Sequence, residues 1–330
     1  MSHVLVTGGA GFLGSHVADA LLSRGHDVTV LDDLSGGFRE NVPAGARFVE
    51  GSVADAATVD RLFAAGGFTA VCHLAAYAAE GLSHFIRRFN YTNNVIGSIN
   101  LLNASVNTGV KTFVFTSSIA VYGTSPELPV TEETVARPED PYGIGKHAVE
   151  LDLRAAHEMF GIDSVIFRPH NIYGPRQNIG DRYRNVVGIF MNQALQGLPM
   201  TIFGDGSQTR AFSYVDDVAP VIAASLETPA AMNQVFNVGA DEPTSLNELA
   251  GLVSRAMNTD GRVVHLAPRQ EVQHVHAAHD KVRRVFGTRP SVPLAEGLAR
   301  TAEWVRRHGA RTTTVFSRIE IDRNLPESWR

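Results

Sequence analysis

The stretch Val4-Leu5-Val6-Thr7-Gly8-Gly9-Ala10-Gly11-Phe12-Leu13-Gly14 decides how the rest of this chain is read. An apolar run ends in a glycine-rich turn, and the turn opens directly into a helical stretch, Gly11–Ser23. Two spacings hold at once, GxGxxG from Gly9 and GxxGxxG from Gly8. Glycines there let the backbone turn tightly and approach a pyrophosphate, whose charge rests against the helix N-terminus. A glycine turn alone also serves plain structural roles. Its context raises it: Asp32 ends the next strand, 18 residues past Gly14, where a carboxylate can bind the adenosine ribose hydroxyls. An acid there repels a 2′-phosphate and no Arg follows immediately, so NAD is expected over NADP. The plain alternative is that Asp32 and Asp33 only start a turn.

Outward from this turn, short apolar runs alternate with longer helical stretches. The strands expected are Val4–Thr7 (the run from Met1 onward reads as strand), Val28–Asp32, Arg47–Glu50, Ala70–Leu74, Thr112–Ser117 and Ser164–Arg168. They lack in/out alternation, as strands of a parallel sheet covered on both faces do. Helices are expected over Gly11–Ser23, Val59–Ala65, Tyr91–Asn107 and Tyr142–Phe160. This order predicts an α/β, Rossmann-like doubly wound parallel sheet with a smaller mixed α/β substrate domain. The cofactor-binding part is expected over 1–168, rejoined by about 212–240, and the substrate part over 169–330, where Gly and Pro become frequent. The tail after Arg311 reads as loose.

Composition narrows the class. With 330 residues, 44% hydrophobic and 19% charged, the chain has ample core for one large domain or two joined ones. A net charge of -5 argues against a nucleic-acid partner, which needs a basic face. No apolar run approaches a membrane span, and the first residues lack the pattern of a secretion signal. The one cysteine, Cys72, cannot form an internal disulfide and lies in an apolar run. It reads as a buried thiol in a reducing cytoplasm.

Tyr142-Gly143-Ile144-Gly145-Lys146 sets a phenol and an ammonium on one helix face. A free tyrosine, with pKa about 10, is a poor base at neutral pH. A neighbouring Lys and a positive nicotinamide ring would lower it, letting Tyr142 take a proton from an alcohol while hydride leaves the same carbon. Both residue types are common on solvated helix faces, so the pair gains meaning only from its context. Upstream, Phe115-Thr116-Ser117-Ser118 ends a central strand, at the sheet edge where such folds bind ligands. Ser118 could orient the reacting hydroxyl.

These residues together resemble the extended short-chain dehydrogenase/reductase family, in its NAD-dependent epimerase/dehydratase group and UDP-glucose 4-epimerase type. The resemblance spans nearly the whole chain. Besides the Gly8–Gly14 turn and the YxxxK, it rests on Leu74-Ala75-Ala76, Asn93-Asn94-Val95, Ser117-Ser118-Ile119-Ala120-Val121-Tyr122-Gly123 and Arg168-Pro169-His170-Asn171-Ile172-Tyr173-Gly174-Pro175. Further on come Ile202-Phe203-Gly204-Asp205-Gly206, Arg210-Ala211-Phe212-Ser213-Tyr214-Val215-Asp216-Asp217 and Phe236-Asn237-Val238-Gly239. It implies Ser118, Tyr142 and Lys146 as the catalytic set, with Lys146 also holding the nicotinamide ribose. NAD contacts are implied from Gly8, Gly11, Phe12, Leu13, Gly14, Asp32, Val53, Leu74, Ala75, Ala76, Asn94 and Thr116, with Tyr142 and Lys146. Ser118, Asn171, Asn185, Val186, Phe203, Arg210 and Arg269 are implied around a UDP-sugar. Amides and guanidinium groups suit a diphosphate, and an aromatic ring suits uracil.

Within that family, dehydratases carry Asp-Glu after the catalytic Thr, and UDP-glucuronate decarboxylases a Glu at the second of those positions. Here they are Ile119 and Ala120, which cannot move a proton, so reversible oxidation at C4 remains. The expected function is 4-epimerisation of UDP-glucose and UDP-galactose or their N-acetyl forms. The rivals are a UDP-glucuronate 4-epimerase, a net dehydrogenase such as a 4-ketosugar reductase, and a non-catalytic NAD sensor. Three departures bear on the site: Ser52 replaces the usual Asp near the adenine, Ala78 a Lys of some galactose-type epimerases, and Pro169-His170 the common aromatic pair. The last is expected to change the wall near the nicotinamide. His274, His276 and His279 lack the ligand spacing of a recognised metal site, so no metal is expected. Arg176, Arg182 and Arg184 read either as a solvated loop or as recognition of an acidic sugar. The family arrangement implies a homodimer through Tyr91–Asn107 and Tyr142–Phe160.

Overall fold

The computed structural model describes residues 2–288, 291–313 and 315–330; Met1, read above with the first strand, lies outside them. The first half runs β1 (His3–Thr7), α1 (Phe12–Ser23), β2 (Asp27–Asp32), β3 (Arg47–Glu50), α2 (Ala56–Gly66) and β4 (Ala70–His73). It continues through α3 (Glu80–Ser83), α4 (Arg87–Tyr91), a π-helical turn (Thr92–Ile96), α5 (Gly97–Thr108), β5 (Thr112–Thr116), α6 (Pro141–Phe160) and β6 (Asp163–Pro169). After β7 (Ile172–Tyr173), α7 (Val186–Leu195), β8 (Met200–Phe203), β9 (Thr209–Ala211), β10 (Ser213–Tyr214) and α8 (Val215–Ala224), the strand β11 (Gln234–Val238) pairs in parallel with β6. The chain thus returns to the sheet at Gln234–Val238. The seven-stranded sheet has the order β11-β6-β5-β4-β1-β2-β3, and every pair in it is parallel.

Both faces of this sheet are covered, which explains the missing alternation. On one side Val17, Ala18 and Leu21 of α1 and Val218, Ile222 and Ala223 of α8 pack on Val4, Val6 and Val28. On the other, Leu62 and Phe63 of α2, Leu101 and Leu102 of α5 and Val149 and Leu153 of α6 meet Leu5, Leu31 and Phe113. The helices carry their own start and stop signals. Asp55 caps α2 by accepting from the backbone N–H groups of Ala57 and Thr58. Asp140 accepts from Gly143 N at the start of α6, where Pro141 occupies the first turn. The sequence reading Tyr91–Asn107 spans the π turn and α5, which form one helical rod with a widened turn.

The remaining elements, β12 (Pro243–Ser245), α9 (Leu246–Met257), β13 (Val263–Leu266), β14 (His274–Val275), α10 (Asp280–Phe286) and α11 (Leu294–His308), follow in order. Small sheets β12-β9-β14 and β13-β8 and a separate apolar cluster of Phe190, Ile202, Leu249, Leu298 and Val305 build the second half. The tail beyond Arg311 is anchored at several points, although many of its described residues are exposed. Glu320 accepts from the N–H groups of Arg88 and Phe89 at 2.8 and 2.9 Å, closing the uncapped start of α4. Phe316, Ile319, Leu325 and Trp329 join Leu82, Ile86 and Tyr183 in one apolar cluster.

Candidate active site

Two adjoining cavities open at the C-terminal edge of the sheet. The smaller, about 200 Å³, is lined by Gly8, Gly11, Phe12, Leu13, Gly14, Asp32, Val53, Leu74, Ala75 and Ala76. Two glycines here are fixed by geometry. Gly8 has φ +72°, and a Cβ on it would sit 2.7 Å from Ala75 N. A Cβ on Gly14 would fall 2.1 Å from Gly8 O, so α1 can approach the turn only through glycine. No side chain caps α1, leaving its first N–H groups for an anion. Asp32 is buried, and its two oxygens accept from Ala10 N at 3.0 Å and Leu34 N at 2.8 Å. Burial raises its pKa against those hydrogen bonds. The carboxylate therefore braces the turn and still has acceptor sites for ribose hydroxyls. These features fit a dinucleotide: a cradle without Cβ atoms, a free helix end and an acid at the ribose position.

Asn94 is placed differently from the expectation. It is buried, with its carbonyl oxygen accepting from Tyr77 N and its amide donating to Tyr77 O and Asn90. Its polar ends are used to hold the loop Ala76–Ala78, so it shapes the cavity from behind. Ser52 is likewise occupied locally, its hydroxyl accepting from Ala54 N.

The larger cavity, about 350 Å³, brings together Thr116, Ser118, Tyr142, Lys146, Asn171, Asn185, Val186, Phe203, Arg210 and Arg269. Lys146 Nζ donates to Thr116 O at 2.7 Å and lies 4.6 Å from the Phe115 ring centre. Burial pushes its pKa down to about 7, with Glu150 opposing. Glu150, one turn further along α6, is burdened by its own burial, but hydrogen bonds from Arg168 hold it down at about 2. Tyr142 is pushed up, first by burial and then by the charge of Glu80, while a hydrogen bond with Ser118 acts downward. The expected lowering of Tyr142 is therefore not supplied by the surrounding side chains.

Glu80 and Glu271 also line this cavity, and the sequence reading missed both. Glu80 is solvent-accessible at the cavity; desolvation by the protein around it and the neighbouring Asp140 raise its pKa, while Arg210 and Arg269 act against them. Glu271 pairs with Arg269 at 3.0 Å and with Arg210 at 3.7 Å. The available signal for Glu80 was its position just after Leu74-Ala75-Ala76, beside Ala78, which also lines the cavity.

His170 corrects another expectation. Pro169 and Asn171 line the cavity, but His170 points away, with Nδ1 at 3.0 Å from Ala211 O and Nε2 at 3.0 Å from His279 Nε2. His279 in turn meets Asp241 at 2.7 Å. Of the three arginines, Arg176 pairs with Asp19 on α1 at 2.5 Å. Arg182 and Arg184 do line the cavity. Arg184 is held by Asp181 at 2.7 Å and lies over the Tyr77 ring, and Arg182 donates to Ser328 O.

Residues 4–239 match the NAD dependent epimerase/dehydratase family. UDP-glucose 4-epimerase of Mycolicibacterium smegmatis is 37% identical over 92% of this chain and 98% of its own. The crystal structure of UDP-glucose 4-epimerase with UDP-glucose from Thermotoga maritima is also 37% identical, with TM-score 0.87, covering 93% of this chain and 99% of its own. About 23 of the 330 residues here thus have no counterpart in it. UDP-glucuronic acid 4-epimerase of Bacillus cereus, in complex with UDP-glucuronic acid and NAD, is 28% identical with TM-score 0.85, over 93% of this chain and 99% of its own. A dinucleotide cradle, a Ser-Tyr-Lys wall beside it and a match along most of the chain lead to one assignment: the chain belongs to the NAD dependent epimerase/dehydratase family.

Proposed function

We propose that the chain is an NAD-dependent nucleotide-sugar 4-epimerase acting on a UDP-hexose, UDP-glucose and UDP-galactose or their N-acetyl forms. The observation that carries this is one cavity wall bearing Ser118, Tyr142 and Lys146 beside the dinucleotide cradle. In this reading residues 1–168 and about 212–240 hold the cofactor, and the rest of 169–330 holds the sugar nucleotide. Asn171, Asn185, Val186 and Phe203 surround the nucleotide, with Arg210 and Arg269 at its diphosphate.

NAD, when bound, supplies a hydride acceptor for C4 and returns the hydride afterwards. The protein's own part is the proton. Tyr142 takes it from the C4 hydroxyl as the C4–H bond breaks and the carbonyl forms, and gives it back after the 4-keto sugar has turned over. Ser118 orients that oxygen. Because burial and Glu80 disfavour the phenolate, the positive charges of Lys146 and of the oxidised nicotinamide must offset them. Dehydration across C5 and C6 would need both an acid and a base. Among the described residues lining the cavity, Glu80 is the one carboxyl with no hydrogen bond or ion pair, since Glu271 is paired with Arg269.

That same Glu80 disfavours a sugar carboxylate, and Arg184 is already neutralised by Asp181. A neutral C6 alcohol is therefore the first choice. Arg182, which lines the cavity, keeps UDP-glucuronate as the second reading. Exposed apolar residues on the two helices expected at a dimer face, Ile96 at 47% and Leu151 at 48%, support a homodimer. Cys72 is buried with its thiol pushed up to about 12, which suits a reducing cytoplasm; no helix among the described residues is long and apolar enough to cross a membrane. The test is to incubate the purified protein, without added NAD, with UDP-glucose, UDP-N-acetylglucosamine and UDP-glucuronate separately. Epimer should form from a neutral sugar; epimer from UDP-glucuronate alone selects the second reading, and none from any refutes both.

A further inference from the structure

The described part of the C-terminal tail is bound to the wall of the larger cavity. Its Trp329 is 3% exposed and packs edge-on against Tyr183 and Phe203, with ring centres 5.3 and 5.9 Å away. Arg269 lies between two rings, its guanidinium carbon 4.6 Å from the centre of Phe203 and 5.5 Å from that of Trp329. The preceding residue, Ser328, accepts from Arg182 through its carbonyl. On the other side, a Cβ on Gly81 would lie 3.1 Å from the Trp329 ring, so Trp329 also bears on α3, which carries Glu80. Four side chains of the cavity, Arg182, Tyr183, Phe203 and Arg269, are therefore held by the last two residues before the C-terminus.

We propose that Trp329 is a positioning residue for the nucleotide diphosphate: it fixes Arg269 and Phe203 in the orientation that receives the ligand. The proposal rests on the epimerase reading for its ligand. The physical reason is that Arg269 is held from two sides. Glu271 attracts its guanidinium at 3.0 Å, and the aromatic faces hold its plane. With one face removed, the side chain stays tethered to Glu271 but regains rotamers about that contact, and a diphosphate must order it again on binding.

Trp329→Ala is the test. The Michaelis constant for the UDP-sugar should rise about tenfold, the cost of re-ordering one or two side chains. The turnover number should stay within about twofold, and bound NAD should be unchanged, because the dinucleotide cavity contains no tail residue. Trp329→Phe, which keeps an aromatic face, should restore most of the loss. An unchanged Michaelis constant in Trp329→Ala, or an equal fall in turnover, overturns the proposal. If the alanine variant loses NAD or fails to fold, the phenylalanine variant and a titration decide. The chain has two tryptophans, so Trp304→Phe leaves Trp329 as the single reporter. Adding UDP alone should change its fluorescence saturably. No change at saturating UDP refutes the role of Trp329, whereas a change without any sugar turnover refutes only the epimerase reading.

Discussion

Replacing Tyr142 by Phe separates proton transfer from everything else the residue does. The ring is 6% exposed and stays in place, so packing is retained. The change removes the hydroxyl and its hydrogen bond with Ser118, about 0.5–1.5 kcal/mol of stability. For a domain of this size that is a shift in Tm of a few degrees at most. The rate effect should be far larger. General-base catalysis contributes about 10²–10⁴-fold, equivalent to about 3–5 kcal/mol in the barrier. Glu80 lies close enough to act on Tyr142 electrostatically and its pKa is raised to about 7, so it can serve as a partial substitute base. We therefore expect a loss of about 10³-fold rather than the upper limit. The assay is the initial rate of epimer formation, with bound NAD and Tm measured on the same preparation. Lys146→Ala should be comparably harmful, and Ser118→Ala milder. Loss of less than about tenfold in Tyr142→Phe, with NAD retained, would show that the proton leaves by another group.

Two further outcomes follow from the same geometry. The protein should release NAD rather than NADP on denaturation, and Gly14→Ala, whose Cβ would meet Gly8 O at 2.1 Å, should lose most of it; mainly NADP, or full retention, contradicts the cradle. Glu80→Gln removes a negative charge that raises Tyr142, so the phenol should deprotonate more easily. The acidic limb of the kcat profile should move to lower pH, and a shift to higher pH would contradict the stated electrostatics.

What could be read in the sequence was local. Gly8, Gly11 and Gly14 lie within two turns of backbone, and Tyr142 and Lys146 are one helical turn apart, so their spacing alone sets their geometry. The strands were legible because a sheet covered by α1 and α8 on one side and α2, α5 and α6 on the other needs uninterrupted apolar runs. The surroundings of Asn94 and His170 were not legible for the opposite reason. Each stands beside a motif, while its side chain answers to distant groups: the Tyr77 backbone for the first, Ala211 O and the His279 ring for the second.

The cavity's charge balance is the least local property of all. Arg210 and Arg269 would read as a plain diphosphate clamp, yet Glu271 binds both, and Glu80 faces them from α3. Around these two arginines the two carboxyls leave little local net charge to draw in an anion, the other cations, Lys146, Arg182 and Arg184, lying elsewhere on the wall. Affinity must then come from geometry, with a diphosphate offering more well-aligned acceptor oxygens than Glu271 can. Such a site depends on holding its guanidinium groups still between binding events. In this chain that falls to aromatic faces, Phe203 and Trp329 for Arg269 and Tyr77 for Arg184. The tail consequently braces the cavity wall from behind, and the packing of Trp329 against Gly81 of α3 ties the position of Glu80 to the same rings.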